Sequence, residues 1–108
     1  LALAAIASIA IHAADLAGVW KGSIDTQAGV TEVAITIQPG ATLAGNVAIG
    51  PYNVPMEKAK LDGGKIAFEI NVEHGRITYA GTVAGDEMKL NVTGTQGDKY
   101  LLNCRRQK

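Results

Sequence analysis

Gly18-Val19-Trp20-Lys21-Gly22-Ser23-Ile24-Asp25 is the stretch whose reading decides the fold. Trp20, Gly22 and Ile24 share one parity; Lys21, Ser23 and Asp25 share the other. Successive side chains of a strand point to opposite faces, so this alternation predicts a half-buried β-strand. Its apolar face carries the only tryptophan of the chain. The segments that follow repeat the pattern, which predicts a sheet closing back onto this first strand.

Downstream, residues 31–38 set Val33, Ile35 and Ile37 against Glu32, Thr36 and Gln38. Residues 42–49 set Leu43, Val47 and Ile49 on one face. Residues 54–61 are irregular: Val54 and Met56 hold one parity, Ala59 and Leu61 the other. A bulge near Glu57-Lys58 reconciles them, because one extra residue exchanges the faces. Pro55 cannot donate to a ladder and belongs at a strand start or bulge. Residues 65–72 alternate most clearly, with Ile66, Phe68, Ile70 and Val72 inward. Residues 76–84, 87–93 and 99–106 continue the pattern with Ile77, Tyr79, Val83, Met88, Leu90, Val92, Tyr100, Leu102 and Cys104. Turn residues separate the segments, Asp62-Gly63-Gly64 being the strongest hairpin signal.

Eight strands with short loops predict antiparallel sequential neighbours. A flat meander would leave two raw edges, and closure removes them. The fold class is therefore all-β, an eight-stranded antiparallel up-and-down barrel. A β-sandwich is the alternative, but its Greek-key crossovers need a longer connection than any loop here. Gly22, Gly45 and Gly81 fall at inward positions. Such glycines let strands bend in a narrow barrel; the competing reading is that they clear space for a ligand.

Residues 1–14 differ in kind from the rest. They are uncharged, rich in Ala, Ile and Leu, and end in Ile11-His12-Ala13-Ala14. This pattern predicts part of a secretory signal peptide, cleaved after Ala13 or Ala14; the alternative is a short buried helix. Residues 15–108 then form one domain placed outside the cytoplasm, periplasmic or secreted. All ten basic and all ten acidic residues lie in it. That balance argues against nucleic acid, which favours a basic stripe. The outward parity carries Lys21, Glu32, Lys65, Glu69 and Lys89. Those charges would face lipid in a membrane barrel, so the domain is not expected to span one.

The chemistry available to an enzyme is sparse, and no catalytic residue is assigned. His74 and Cys104 are the sole histidine and cysteine beyond residue 14, so no metal site and no cofactor are predicted. Ser23 has no neighbouring base. In an up-and-down barrel alternate loops gather at one end. Here they bring together Gln27, Tyr52, Asn53, His74, Thr95 and Gln96. That polar rim, with one aromatic ring and several amides, suits a small polar ligand or glycan. A protein-interaction or inhibitor domain using the rim or outer wall is the alternative, and an enzyme is the third class.

Ala17-Gly18-Val19-Trp20-Lys21-Gly22 resembles the Gly-x-Trp opening of lipocalin-like and avidin-like barrels. Ile77-Thr78-Tyr79-Ala80-Gly81-Thr82-Val83-Ala84-Gly85-Asp86 resembles a segment of small secreted bacterial domains of that shape, many of unknown function. Some of those domains accompany sugar-processing enzymes. The resemblance implies a barrel whose first-strand tryptophan meets a late arginine. Arg106 shares the inward parity of Leu102 and Cys104, with Arg105 as competitor if the register slips. Avidin-like biotin sites carry several tryptophans and an asparagine two residues after the first. Gly22 stands there instead, so biotin is not expected. Lipocalins are longer, so their large cavity is not implied, and an eight-stranded barrel is just wide enough for its own side chains.

Overall fold

In the computed structural model, residues 13–26, 29–40, 42–73 and 75–107 are described. The expected leader lies outside them, apart from Ala13 and Ala14. A 3-10 turn, Ala13–Leu16, leads into nine strands. These are β1 Gly18–Thr26, β2 Gly29–Ile37, β3 Gly45–Ile49, β4 Tyr52–Pro55, β5 Glu57–Asp62, β6 Lys65–Val72, β7 Gly75–Ala84, β8 Glu87–Thr93 and β9 Lys99–Arg106. They make one antiparallel sheet in the order β4-β3-β2-β1-β9-β8-β7-β6-β5. First and last strands pair, with Trp20 opposite Arg106 and Gly22 opposite Cys104. The ends of that order, β4 and β5, are consecutive in the chain and meet at Met56. The result is a nearly closed up-and-down barrel, one curled sheet rather than the two of a sandwich.

The strand count differs from the expected eight for a local reason. The stretch expected as one strand over 54–61 divides between two partners. β4 pairs with β3, and β5 pairs with β6. The register shifts between Glu57 and Lys60, and Lys58 takes a left-handed φ of 49°. This is the bulge that the parity break near Glu57-Lys58 required. It bends the strand outward and lets one segment serve both neighbours. Pro55 ends β4 in an exposed position. Outside the bulge, Glu69 pairs with Arg76 at 3.1 Å and Lys58 at 3.7 Å. The third strand is also shorter than expected, starting at Gly45 rather than near Thr42. Gln38 N–H donates to Ala44 C=O at 2.9 Å, just before β3 begins.

Of the residues expected inward, Ile35, Val47, Phe68, Ile70, Tyr79, Leu90 and Leu102 are at most 3% exposed, while Leu43, Ile49, Val72, Ile77 and Tyr100 are half-buried against the core. No polar or charged residue is classed as buried among the described residues. Outward positions such as Lys21, Glu32, Lys65 and Lys89 are exposed. No described helix is long and apolar enough to cross a membrane.

The Tyr79 ring stacks on Phe68 with centroids 4.8 Å apart. Its hydroxyl is enclosed and has no hydrogen-bond partner among the described residues. Burial, and secondarily Cys104, push that phenol far above its ordinary pKa. A buried hydroxyl without a partner is a cost that an apolar ring of the same shape avoids. Tyr79→Phe is therefore expected to raise stability by about 1 kcal/mol. Urea denaturation checks it; a clear loss would mean that the hydroxyl is bonded in solution.

The floor is closed as the parity of Arg106 required. Its guanidinium lies 4.6 Å from the centroid of the Trp20 ring. Trp20 is fully buried, and its Nε1–H donates to Leu16 C=O at 2.9 Å. Leu16, 2% exposed, packs into the core cluster as a plug. Arg106, not Arg105, faces inward; Arg105 stays exposed.

Candidate functional site

The end opposite that floor is the rim. Strands β1, β3, β6 and β8 run toward it, and the β3–β4 and β8–β9 connections lie there. Below them lies a cavity of about 260 Å³. Its walls are inward side chains near the rim ends of their strands: Ile24, Ile49, Ile77 and Val92. Ile24 and Val92 are buried, while Ile49 and Ile77 are partly open to the mouth. Beneath this layer the packed core closes the barrel, so the cavity is a cup rather than a shaft.

The lip is made by Thr31 of β2 and by the 94–98 loop, through Thr95, Gln96 and Asp98. That loop is held by its own backbone: Gly94 N–H donates to Asp98 C=O at 2.7 Å, and Gly97 N–H to Gly94 C=O at 3.1 Å. The Asp98 carboxylate accepts from the Tyr100 hydroxyl and from the backbone N–H groups of Asp98 and Gln96. The Tyr100 hydroxyl, then these N–H groups, hold its carboxyl below the usual range. The same bond raises the Tyr100 phenol. A side chain on Gly94 would sit 2.7 Å from Asp98 Oδ1, so glycine lets the carboxylate tuck against the loop. Tyr100 itself lines the cup.

Of the rim residues expected from the sequence, Gln96 lines this cavity, as does Thr95. Gln27 and His74 lie outside the described residues. Tyr52 and Asn53 are displaced from the expected loop. Gly50, at φ +57°, and Pro51 alone make the β3–β4 turn, so Ile49 pairs with Tyr52 and the strand resumes at once. A two-residue turn with glycine first needs no further loop. Asn53 is then exposed and Tyr52 half-buried in β4, and neither lines the cup. Sequence reasoning missed the apolar walls and the Asp98–Tyr100 pair. The signal for the walls was available: each is an inward residue near a rim turn. The Asp98-x-Tyr100 spacing straddles a strand start and carries no parity signal.

Elsewhere the chemistry is thin. Cys104 is free and buried, and burial pushes its thiol up to about 12. A thiol that stays protonated is a poor nucleophile. No group of three His, Cys, Asp or Glu side chains among the described residues is placed to hold a metal. Two broader grooves, about 460 and 450 Å³, lie on the outer wall over Ala67 and Ala80. They are spaces between long side chains, Lys60 shared by both, above a wall of small residues. The exposed apolar residues of the outer wall form no patch. Leu101 is 72% exposed opposite Asn91, and Val30 is 67% exposed opposite Asp25. Val19, near the floor, is partly buried.

No protein-family model, curated protein or solved structure matches this chain. The functional reading therefore stands on the geometry of the cup and on the residue chemistry around it.

Proposed function

We propose that this domain is a non-enzymatic binding module, working outside the cytoplasm, that holds a small ligand in the mouth of the barrel. The observation that carries it is the cup: a concave apolar floor beneath a polar lip that the 94–98 loop fixes in place. Small-molecule sites have this form, mostly apolar walls with a few placed polar groups. The four aliphatic walls shift the ligand from a purely polar molecule or glycan to an amphipathic one, whose apolar part enters the cup. Its size fits one ring or a short alkyl chain, since a cavity of about 150 Å³ takes benzene.

The uncharged stretch before Asp15 supports export. Cleavage after Ala13 or Ala14 would keep Asp15 and Leu16, whose carbonyls hold Arg106 and Trp20. The mass of the exported form tests this, with an intact N-terminus counting against it.

A thermal-shift screen of the domain against small amphiphiles tests the binding reading. Ligand at about a hundredfold excess over Kd stabilises the native state by about 2.7 kcal/mol. Ile49→Trp, which fills the cup, is expected to abolish the shift while the domain keeps its fold by circular dichroism. A shift that survives Ile49→Trp would place the ligand elsewhere.

A further inference from the structure

We infer that the mouth selects a small organic cation, an ammonium carrying one ring or a short alkyl chain, over neutral and anionic amphiphiles of the same size. This rests on the binding reading above and adds the charge of the ligand. Among the described residues, those around the cup include a carboxylate, an amide and two threonine hydroxyls, but no lysine, arginine or histidine. A ligand carboxylate would find no cationic partner among them. Asp98 is ionised and exposed at the lip. Its three donors are a phenol and two backbone N–H groups, all neutral. Those bonds fix the carboxylate in position without cancelling its charge. A carboxylate offers about four acceptor sites, so acceptor capacity remains for a ligand N–H.

Tyr100 supplies the second element. Its ring lines the cup and its hydroxyl is tied to Asp98. An aromatic face beside a carboxylate attracts an ammonium through the ring quadrupole and the anion together. Below them the walls are aliphatic, which favours a hydrocarbon tail over a second polar group. The order of chemistry from lip to floor is anion, ring, aliphatic wall. It is the complement of an alkyl- or arylammonium entering tail first.

The test compares hexylammonium, hexanol and hexanoate by calorimetry on the full chain. All three are measured at pH 8. Hexylammonium is expected to bind about tenfold more tightly than hexanol, with hexanoate weakest. Asp98→Asn is expected to bring hexylammonium to the level of hexanol. Added salt should weaken the ammonium alone. The salt series uses the unaltered chain, so it decides even if Asp98→Asn fails to fold. Hexanol or hexanoate binding as tightly as hexylammonium, and lost in Ile49→Trp, would overturn the cation preference and leave the cup as the site. An ammonium preference that persists in Ile49→Trp would overturn the placement. No binding by any of the three would overturn the binding reading, and this inference with it.

Discussion

Gly81→Val is expected to prevent the domain from folding, and Gly81→Ala to destabilise it by about 4 kcal/mol or more. A Cβ on Gly81 would stand 1.8 Å from Lys89 C=O oxygen and 2.8 Å from its carbon, on the adjacent strand β8. Both are backbone atoms, paired in the ladder that sets Gly81 opposite Leu90. They cannot yield as a flexible side chain would, so β7 and β8 would have to separate. The same approach occurs at Gly45, 1.9 Å from Thr36 C=O oxygen, and at Gly22, 2.2 Å from Asn103 C=O oxygen. Glycine at such a point marks backbone contact. The space a side chain would occupy is already filled by the neighbouring strand, so these positions serve strand bending, not ligand clearance. Gly63→Ala is the control. Gly63 sits in a turn at φ +61° with nothing within 4 Å of an added Cβ, so its cost is the left-handed backbone alone. That is about 1–2 kcal/mol. Equal losses at Gly63 and Gly81, read by urea denaturation, would refute the steric account.

The wall of the barrel was legible because each strand buries one face only. Period-2 alternation then fixes which side chains point inward, and Ile35, Phe68 and Leu102 needed no tertiary information. The bulge at Lys58 was legible too, since Met56 and Leu61 cannot face inward along one regular strand. Its consequence was not. Whether a bent strand keeps one partner or changes to another depends on where β3 and β6 lie, and nothing near residue 58 records that. Leu43 misled for a related reason: it packs against the core from a loop, so its parity mimicked a strand.

At the site, the rim loops were found by topology, yet their polar residues were only part of the answer. Gln96 lies at the lip, whereas Tyr52 and Asn53 were pulled into β4 by a turn shorter than its turn-forming residues implied. The cup itself is built by side chains that looked like ordinary core. Ile24 and Val92 differ from Ile35 and Leu90 only in lying nearer the rim. A composition-based search for polar ligands passes over them, and that is why the ligand proposed above is an amphiphile rather than a glycan.

At the floor, Arg106→Met is expected to destabilise the domain by about 3 kcal/mol and Trp20→Phe by about 2 kcal/mol, with a coupling of about 1 kcal/mol between them. Arg106 joins three separate pieces of chain. Its Nη1 donates to Asp15 C=O at 2.8 Å and to Ala17 C=O at 3.4 Å, on the segment that carries the Leu16 plug. Its Nη2 donates to Gly85 C=O at 3.3 Å, and its Nε lies 3.2 Å from Asp86 Oδ1, both in the β7–β8 turn. Its plane covers the Trp20 indole. Hydrogen bonds from a charged donor contribute about 1.5–3 kcal/mol each when enclosed, and less where water competes. The Asp86 contact is an ion pair in which Nε makes no hydrogen bond among the described residues, and the carboxylate side chain is 42% exposed. Asp86→Asn should therefore cost under about 1 kcal/mol. The indole contact is different, because Trp20 is wholly enclosed and its ring also anchors the plug through Leu16. Methionine keeps an unbranched apolar stem over the indole and removes the charge and its donors. The double mutant Trp20→Phe/Arg106→Met, measured by chemical denaturation against both single variants, isolates the contact. Losses that simply add would show that the guanidinium and the indole do not stabilise each other. An Asp86→Asn loss as large as that of Arg106→Met would move the energetic centre of the floor from the ring to the ion pair.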